Sequence, residues 1–200
     1  MGDPLLHLLA GPNGAGKSNL HQRVLADRIH LEFVNADVIA AQRWPGEELE
    51  HGHDAARAAA ERRDELMAKR VSFIAETVFS HPSKLQLIRR AQSIGYQVAL
   101  YVVCVPEDLS VARVSNRVTN GGHDVPVDKI RARWQRVWPL LADAVEAADT
   151  ARVYDNSSAS RPYQLIARYR SGALVEERAW PRWLPQVMRD AGHPQMRPVR

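Results

Sequence analysis

Gly11–Ser18 reads GPNGAGKS and fits the pattern G-x-x-x-x-G-K-S at Gly11, Gly16, Lys17 and Ser18. The apolar run Leu5–Ala10 (LLHLLA) precedes it as a buried strand, and a helical pattern over Lys17–Ala26 follows. Strand, glycine-rich loop and helix in that order make a phosphate-binding loop rather than a chance turn. Backbone N–H groups have to wrap a polyphosphate, so Gly11, Gly14 and Gly16 keep side chains out of the way, and Pro12, Asn13 and Ala15 complete the loop. The following helix aims its positive dipole end at the anion. Lys17 then reaches the outer phosphates, and the Ser18 hydroxyl is placed to ligate magnesium. The stretch therefore implies a site for a nucleoside triphosphate with Mg²⁺.

Outward from the loop, strands alternate with helices. Glu32–Asn35 (EFVN), Val71–Ala75, Gln97–Val105 and Ala151–Tyr154 read as four further strands. Helical spacing runs through Ala40–Gln42, Asp54–Lys69, Ser83–Ile94, a stretch from Glu107, and Val127–Ala147, where Pro139 is expected to kink or split the helix. This alternation argues an α/β P-loop fold with a parallel, doubly wound, five-stranded sheet spanning residues 1–160. Two basic helices flanking Asn120-Gly121-Gly122 suggest a lid over about residues 113–136. Residues 161–200 form a C-terminal extension, expected to pack on the core through Trp180–Pro185 and to fray at its end.

Bulk properties narrow the class. Two hundred residues suffice for one α/β domain with a proper core, and 45% hydrophobic with 25% charged content is ordinary for a soluble globular chain. No signal-peptide pattern or membrane-length apolar run is visible, so the expected compartment is the cytoplasm and no membrane partner is expected. The single cysteine, Cys104, lies in an apolar run and reads as core packing. Net charge is +4, but without a zinc finger, an RNP-type strand or another reader module the chemistry points away from nucleic acid. No HExxH or Cys/His ligand spacing marks a transition-metal site.

Chemistry is expected where strands end. Asp37 follows the second strand and Glu76-Thr77 closes the third, at the carboxyl edge where open α/β sheets bind ligands. A carboxylate beside a transferred phosphate can take the proton of an attacking hydroxyl or hold magnesium through water, and either Asp37 or Glu76 suits the second task. The competing reading of Asp37 is a helix N-cap. Of the arginines between Arg113 and Arg136, helical spacing pairs Arg113 with Arg117 and Arg133 with Arg136, while Arg131 points elsewhere. Arg117 and Arg133 are the favoured catalytic clamps, with Arg113 and Arg136 beside the nucleotide. His123 sits at the hinge of the lid, within reach of a phosphate. Arg57, on the helix that crosses the same edge, joins Asp37, Glu76, Thr77 and His123 on the acceptor side, and Asn156 joins the nucleotide site.

Taken together, the blocks GPNGAGKS, FVNADVIA, FIAETVFS, GYQVALYVVCV, RV-x-x-GGHDVP with KIRARWQRVW, and YDNS resemble the chromosomal branch of the zeta-toxin family of P-loop kinases over about residues 5–158. The resemblance implies an adenylate-kinase-like core and ATP-dependent phosphorylation of a hydroxyl on UDP-N-acetylglucosamine. Lys17 and Ser18 would then hold phosphates and magnesium, and Asp37 would be the base. Glu76 and Thr77 would line the sugar-nucleotide pocket, with Arg117 and Arg133 as clamps. An antitoxin protein is the partner it implies. His123 stands about where plasmid-type toxins carry a second lid arginine. The motifs specify phosphate transfer more firmly than the acceptor, so a kinase for another small hydroxylated substrate is the alternative. An ATP-dependent nucleic-acid- or partner-binding protein is the reading from another class.

Overall fold

A computed structural model describes residues 2–119 and 126–193, with backbone only at 117–119. Strand β1 (Leu5–Ala10) is flanked on one side by β3 (Phe73–Thr77) and on the other by β4 (Gln97–Cys104), all parallel. β2 (Glu32–Val34) pairs in parallel with β3, and β5 (Thr150–Asp155) in parallel with β4. These are the five parallel strands read from the sequence.

The sheet nevertheless has seven strands and is mixed, which corrects the expected count. β6 (Gln164–Arg170) pairs antiparallel with β5, and β7 (Ala173–Glu177) antiparallel with β6, giving the order β2-β3-β1-β4-β5-β6-β7. The β6–β7 hairpin turns through Ser171 and Gly172, both with positive φ (47° and 78°). Two positive-φ residues make the primed turn whose twist suits a tight hairpin, and Ser-Gly is its sequence signal.

Alternation along the central strands divides the core into two layers. Leu6, Leu8 and Ala10 of β1 and Val98, Leu100, Val102 and Cys104 of β4 bury on one face. Leu9 of β1 and Ala99, Tyr101 and Val103 of β4 bury on the other. A parallel strand covered on both faces must be apolar throughout, and β4 is buried from Val98 onward.

Four helices pack on the first face: α3 (Gly52–Ala68), α4 (Ser83–Ser93), α6 (Val127–Ala147) and the short α7 (Gln186–Arg189), with the tryptophans Trp134, Trp138, Trp180 and Trp183 among their contacts. Of the kink or split expected at Pro139, the split does not occur: α6 is one helix from Val127 to Ala147. Pro139 and Gln135, whose carbonyl loses its partner there, both lie on the exposed side, and the rest of the helix is held by its buried face. The other face carries α1 (Lys17–Leu20), which continues as a wider helical turn through Leu25, together with part of α5 (Glu107–Thr119). Helix α2 (Ala36–Arg43) lies beyond β2.

The chain switches direction across the sheet at β1, between β3 and β4. The crevice outside the carboxyl ends of the strands opens at such a switch point. The loops after β1, β2, β3 and β5 all reach it.

Candidate active site at the carboxyl edge of the sheet

Two cavities lie side by side along that edge. The larger, about 530 Å³, is lined by the glycine loop with Lys17 and Ser18, by Arg23, and by Arg113 of α5. Asn156 and the segment Ser158–Tyr163 close it on the far side. The smaller, about 280 Å³, is lined by Asn35–Asp37, by Ala56, Ala59 and Arg63 of α3, by Glu76–Ser80, by Lys84 of α4 and by Arg133 of α6. Asp37, Glu76 and Val78 belong to both walls.

The glycine loop owes its shape to its neighbours as much as to any ligand. A Cβ on Gly11 would fall 2.2 Å from the Val103 carbonyl oxygen of β4. Gly16 caps α1 in the left-handed region (φ 94°), and a Cβ there would meet the Asn156 amide at 2.7 Å. Both contacts lie on the protein side of the loop, so the glycines are demanded by close approach to β4 and the β5 loop. Asn156 is buried and donates from Nδ2 to the Ala15 carbonyl (2.8 Å). Arg113 donates to the Gly14 and Asn156 carbonyls (3.3 and 3.0 Å), Ser110 Oγ to the Asn13 carbonyl (2.6 Å), and Tyr163 Oη to the Gly16 carbonyl (3.0 Å). Lys17 is buried, and its ammonium donates to the Gly11 and Pro12 carbonyls (3.1 and 3.0 Å), 3.9 Å from the Glu76 carboxylate.

Glu76 is the hub between the cavities. Its Oε2 accepts from Ser18 Oγ and from Asn35 Nδ2, each at 2.8 Å. Asn35 also caps α2: its Oδ1 accepts from the Asp37 and Val38 N–H groups (2.7 and 3.4 Å). The cap that Asp37 might have supplied is thus made by Asn35, two residues earlier. The Asp37 carboxylate is left facing the shared wall, with no hydrogen-bond or ion-pair partner among the described residues. Thr77 lines the smaller cavity and accepts at Oγ1 from the Phe79 N–H (3.3 Å). Ser18, Glu76 and Asp37 offer hard oxygen donors of the kind magnesium takes alongside phosphate and water. No cluster of three acidic, histidine or cysteine ligands occurs among the described residues.

Several expected residues lie elsewhere. Arg57 is 71% exposed, pairs with Asp54 at 2.6 Å, and lines neither cavity. It occupies the solvent side of α3, and Arg63 takes the inward position. Arg136 is also exposed and lines neither cavity: it lies about one turn past Arg133 along α6, and only Arg133 reaches the site. Arg131 pairs with Glu107 and Asp108. The side chain of Arg117, the Gly121-Gly122 hinge and His123 fall outside the described residues, and with them the centre of the expected lid. Sequence reasoning passed over Asn35, Arg63, Lys84 and Tyr163. Asn35 carried the clearest signal, as a favoured cap residue directly before a helical run. Cys104 is fully buried, and burial pushes its thiol pKa well up, as suits core packing.

Comparison with known proteins agrees with this architecture. The AvrRxo1-ORF1:-ORF2 structure with ATP superposes with a TM-score of 0.67 at 16% identity over 87% of this chain; the chain spans 60% of that protein's length. The PezAT chromosomal toxin–antitoxin system of Streptococcus pneumoniae gives 0.58 at 15% identity, covering 83% of this chain and 72% of the other. Shikimate kinase from Bacteroides thetaiotaomicron gives 0.50 at 16% identity, covering 80% and 91%. Similarities at this identity establish the fold, a P-loop α/β fold shared with kinases. An uncharacterized protein of Haemophilus influenzae is 29% identical over 125 residues, 62% of this chain and 88% of its own length. No helix among the described residues is long and apolar enough to cross a membrane. The family profile described as AAA domain matches residues 6–139, and the chain belongs to that family.

Proposed function

We propose that the protein is an ATP-dependent small-molecule kinase that phosphorylates a sugar hydroxyl of UDP-N-acetylglucosamine. The observation that carries the reading is the shared wall: a phosphate-loop cavity and a second, polar cavity meet at Asp37 and Glu76. Group transfer needs donor and acceptor to touch at one place, with a proton acceptor there. A simple nucleotide-binding module has no need of the second cavity.

In this reading Gly11–Ser18, Arg113 and Asn156 hold ATP, and Lys17 turns from the loop carbonyls to the outer phosphates. Asp37 takes the proton from the acceptor hydroxyl. The freed oxygen forms its bond to the γ-phosphorus while the bond to the β–γ bridging oxygen breaks, and ADP leaves with that electron pair. Arg133, with Arg117, offsets charge on the transferring group. Magnesium, held by Ser18 and through water by Asp37 or Glu76, supplies charge neutralisation on the phosphates. Glu76 and Thr77 offer hydrogen bonds to the acceptor. The choice of sugar nucleotide rests on the zeta-toxin resemblance, which also makes an antitoxin protein the proposed partner. Structural similarity to a chain solved with ATP and to a toxin–antitoxin system supports the same direction.

The test is incubation with magnesium-ATP and a panel of UDP-sugars, nucleosides and free sugars, with products read by mass spectrometry. Phosphorylated UDP-N-acetylglucosamine is the expected product. A phosphorylated nucleoside or free sugar, with that compound untouched, would replace the acceptor and keep the kinase. No product from any of them would remove the kinase reading.

A further inference from the structure

The smaller cavity is unusually cationic for a sugar site. Arg63 enters it from α3, Lys84 from α4 and Arg133 from α6. None of the three has a hydrogen-bond or ion-pair partner among the described residues. The same three helices do pair arginines that face away from the cavity. On α3, Arg57 pairs with Asp54, and Arg62 with Glu32 and Glu65; on α4, Arg90 pairs with Asp64; on α6, Arg131 pairs with Glu107 and Asp108. Arg89, Lys129 and Arg136 of the same helices make no such pair among the described residues either, but they are exposed to solvent; the cavity is where unpaired cations are partly withdrawn from water.

Local electrostatics sharpen the contrast. Lys84 is the second residue of α4, whose first turn holds no acid. A lysine there opposes the positive end of the helix dipole, a placement that works against stability. Burial lowers the pKa of Arg63, against the raising effect of Asp64; burial and then the charge of Arg63 lower that of Lys84. Of the two carboxylates on the cavity wall, Glu76 is committed at Oε2 to Ser18 and Asn35, and Asp37, which lines both cavities, forms no ion pair with these cations. Like charges gathered from separate helices, partly desolvated and with no acid bonded to them, call for an anion.

We infer that Arg63 and Lys84 form an anion subsite that seats a phosphate group already carried by the acceptor, beside the wall where the transferred group arrives. The subsite rests on the kinase reading and deepens it: the acceptor is a phosphorylated or nucleotide-linked metabolite, and neutral sugars and nucleosides are poor substrates. Phosphate suits the pair better than a carboxylate, because a dianion with several oxygens can satisfy a guanidinium fork and an ammonium together.

The test fills the glycine loop first. With magnesium and a non-hydrolysable ATP analogue at saturation, pyrophosphate and, separately, malonate are titrated into wild type, Arg63→Met, Lys84→Met and the double variant by calorimetry. Wild type should bind pyrophosphate at least 10-fold more tightly than malonate. Each single variant should lose about 10- to 100-fold in pyrophosphate affinity, as expected for one charged hydrogen-bond donor. Affinity for the ATP analogue should stay unchanged, and Arg63→Lys should recover part of the loss. Absence of pyrophosphate binding to the loop-filled wild type, or equal binding by the double variant, overturns the subsite. Malonate binding as tightly as pyrophosphate overturns the phosphate assignment. Because binding is the readout, the result stands even if UDP-N-acetylglucosamine proves not to be the acceptor. Conversely, an unchanged KM for a phosphorylated acceptor in Arg63→Met removes the subsite and keeps the kinase.

Discussion

The two cavities that meet at Asp37 and Glu76 are assembled from the sequence in opposite ways. The donor cavity is centred on one contiguous stretch, Gly11–Ser18, whose backbone is held by Arg113, Asn156 and Tyr163, and single residues of the β2 and β3 loops and the β5 loop complete its walls. The acceptor cavity draws on five separate segments, from the β2 loop, α3, the β3 loop, α4 and α6. Donor phosphates are common to many reactions and are met by backbone, which leaves a glycine signature in sequence. An acceptor is met by single side chains on rigid helices, each unremarkable in its own stretch. Substitutions that act on the chemistry shared by both cavities, on the donor scaffold, and on the acceptor helices can therefore be ranked.

The largest effect belongs to the shared wall. Asp37→Asn should retain ATP binding and lose about 10²- to 10⁴-fold in turnover, the range for a positioned general base. Asparagine is as good a cap as aspartate, and Asn35 already makes the cap, so a purely structural role predicts no loss. Steady-state rates with a calorimetric ATP affinity decide it, and a near-normal rate would remove the base from the mechanism. Lys17→Ala comes next, with about a 10²- to 10³-fold loss from withdrawing one donor to the transferring group, and with the fold intact. Its ammonium donates to two loop carbonyls and lies near Glu76, outside the apolar core, so circular dichroism should be unchanged. Wild-type turnover in that variant would break the donor assignment.

Gly11→Ala probes the donor scaffold through stability rather than rate. A Cβ 2.2 Å from the Val103 carbonyl oxygen, at φ 145°, cannot be relieved by a side-chain rotation because the clash is with backbone. A loss of about 2–4 kcal/mol on denaturant unfolding is expected, the range for strain plus overpacking. If the variant unfolds at the wild-type midpoint, the glycine serves the ligand side of the loop alone.

The legibility of the chain follows the same division. The five parallel strands are plain because the central ones are apolar throughout and end in turn residues, whereas the β6–β7 hairpin lies within what reads only as a C-terminal extension. Its signal was present: Ser171-Gly172 between alternating strands, in a stretch whose many charges masked the alternation. In the site, Asp37 and Glu76 could be placed from strand ends, since the carboxyl edge of a parallel sheet has a fixed address. Asn35 is masked by Asp37 two residues later, an equally favoured cap residue before the same helical run. Arg63 and Lys84 escaped because which face of a helix meets a cavity depends on how that helix packs, and α3 carries charges almost all round.

Arg57 tests that last point with the smallest effect. At about 100° per residue, Arg63 lies about 240° around α3 from Arg57, while Ala56, Ala59 and Arg63 follow i, i+3, i+7 along one face. That face lines the acceptor cavity, so Arg57 cannot share it. Its guanidinium is exposed and bonded to Asp54, a surface pair of the kind that contributes about 0.2–1 kcal/mol or nothing measurable. Arg57→Ala should therefore shift stability by no more than about 0.5 kcal/mol and leave kcat and KM within about two-fold of wild type. Arg63→Met, less than two turns further along the same helix, should raise the KM of a phosphorylated acceptor and leave the KM of ATP alone. Measured side by side, the two substitutions remove the same charge from two faces of one helix about 120° apart. A ten-fold rise in acceptor KM for Arg57→Ala, with Arg63→Met silent, would mean that α3 presents its other face to the substrate, and the acceptor cavity would have to be drawn again around that face.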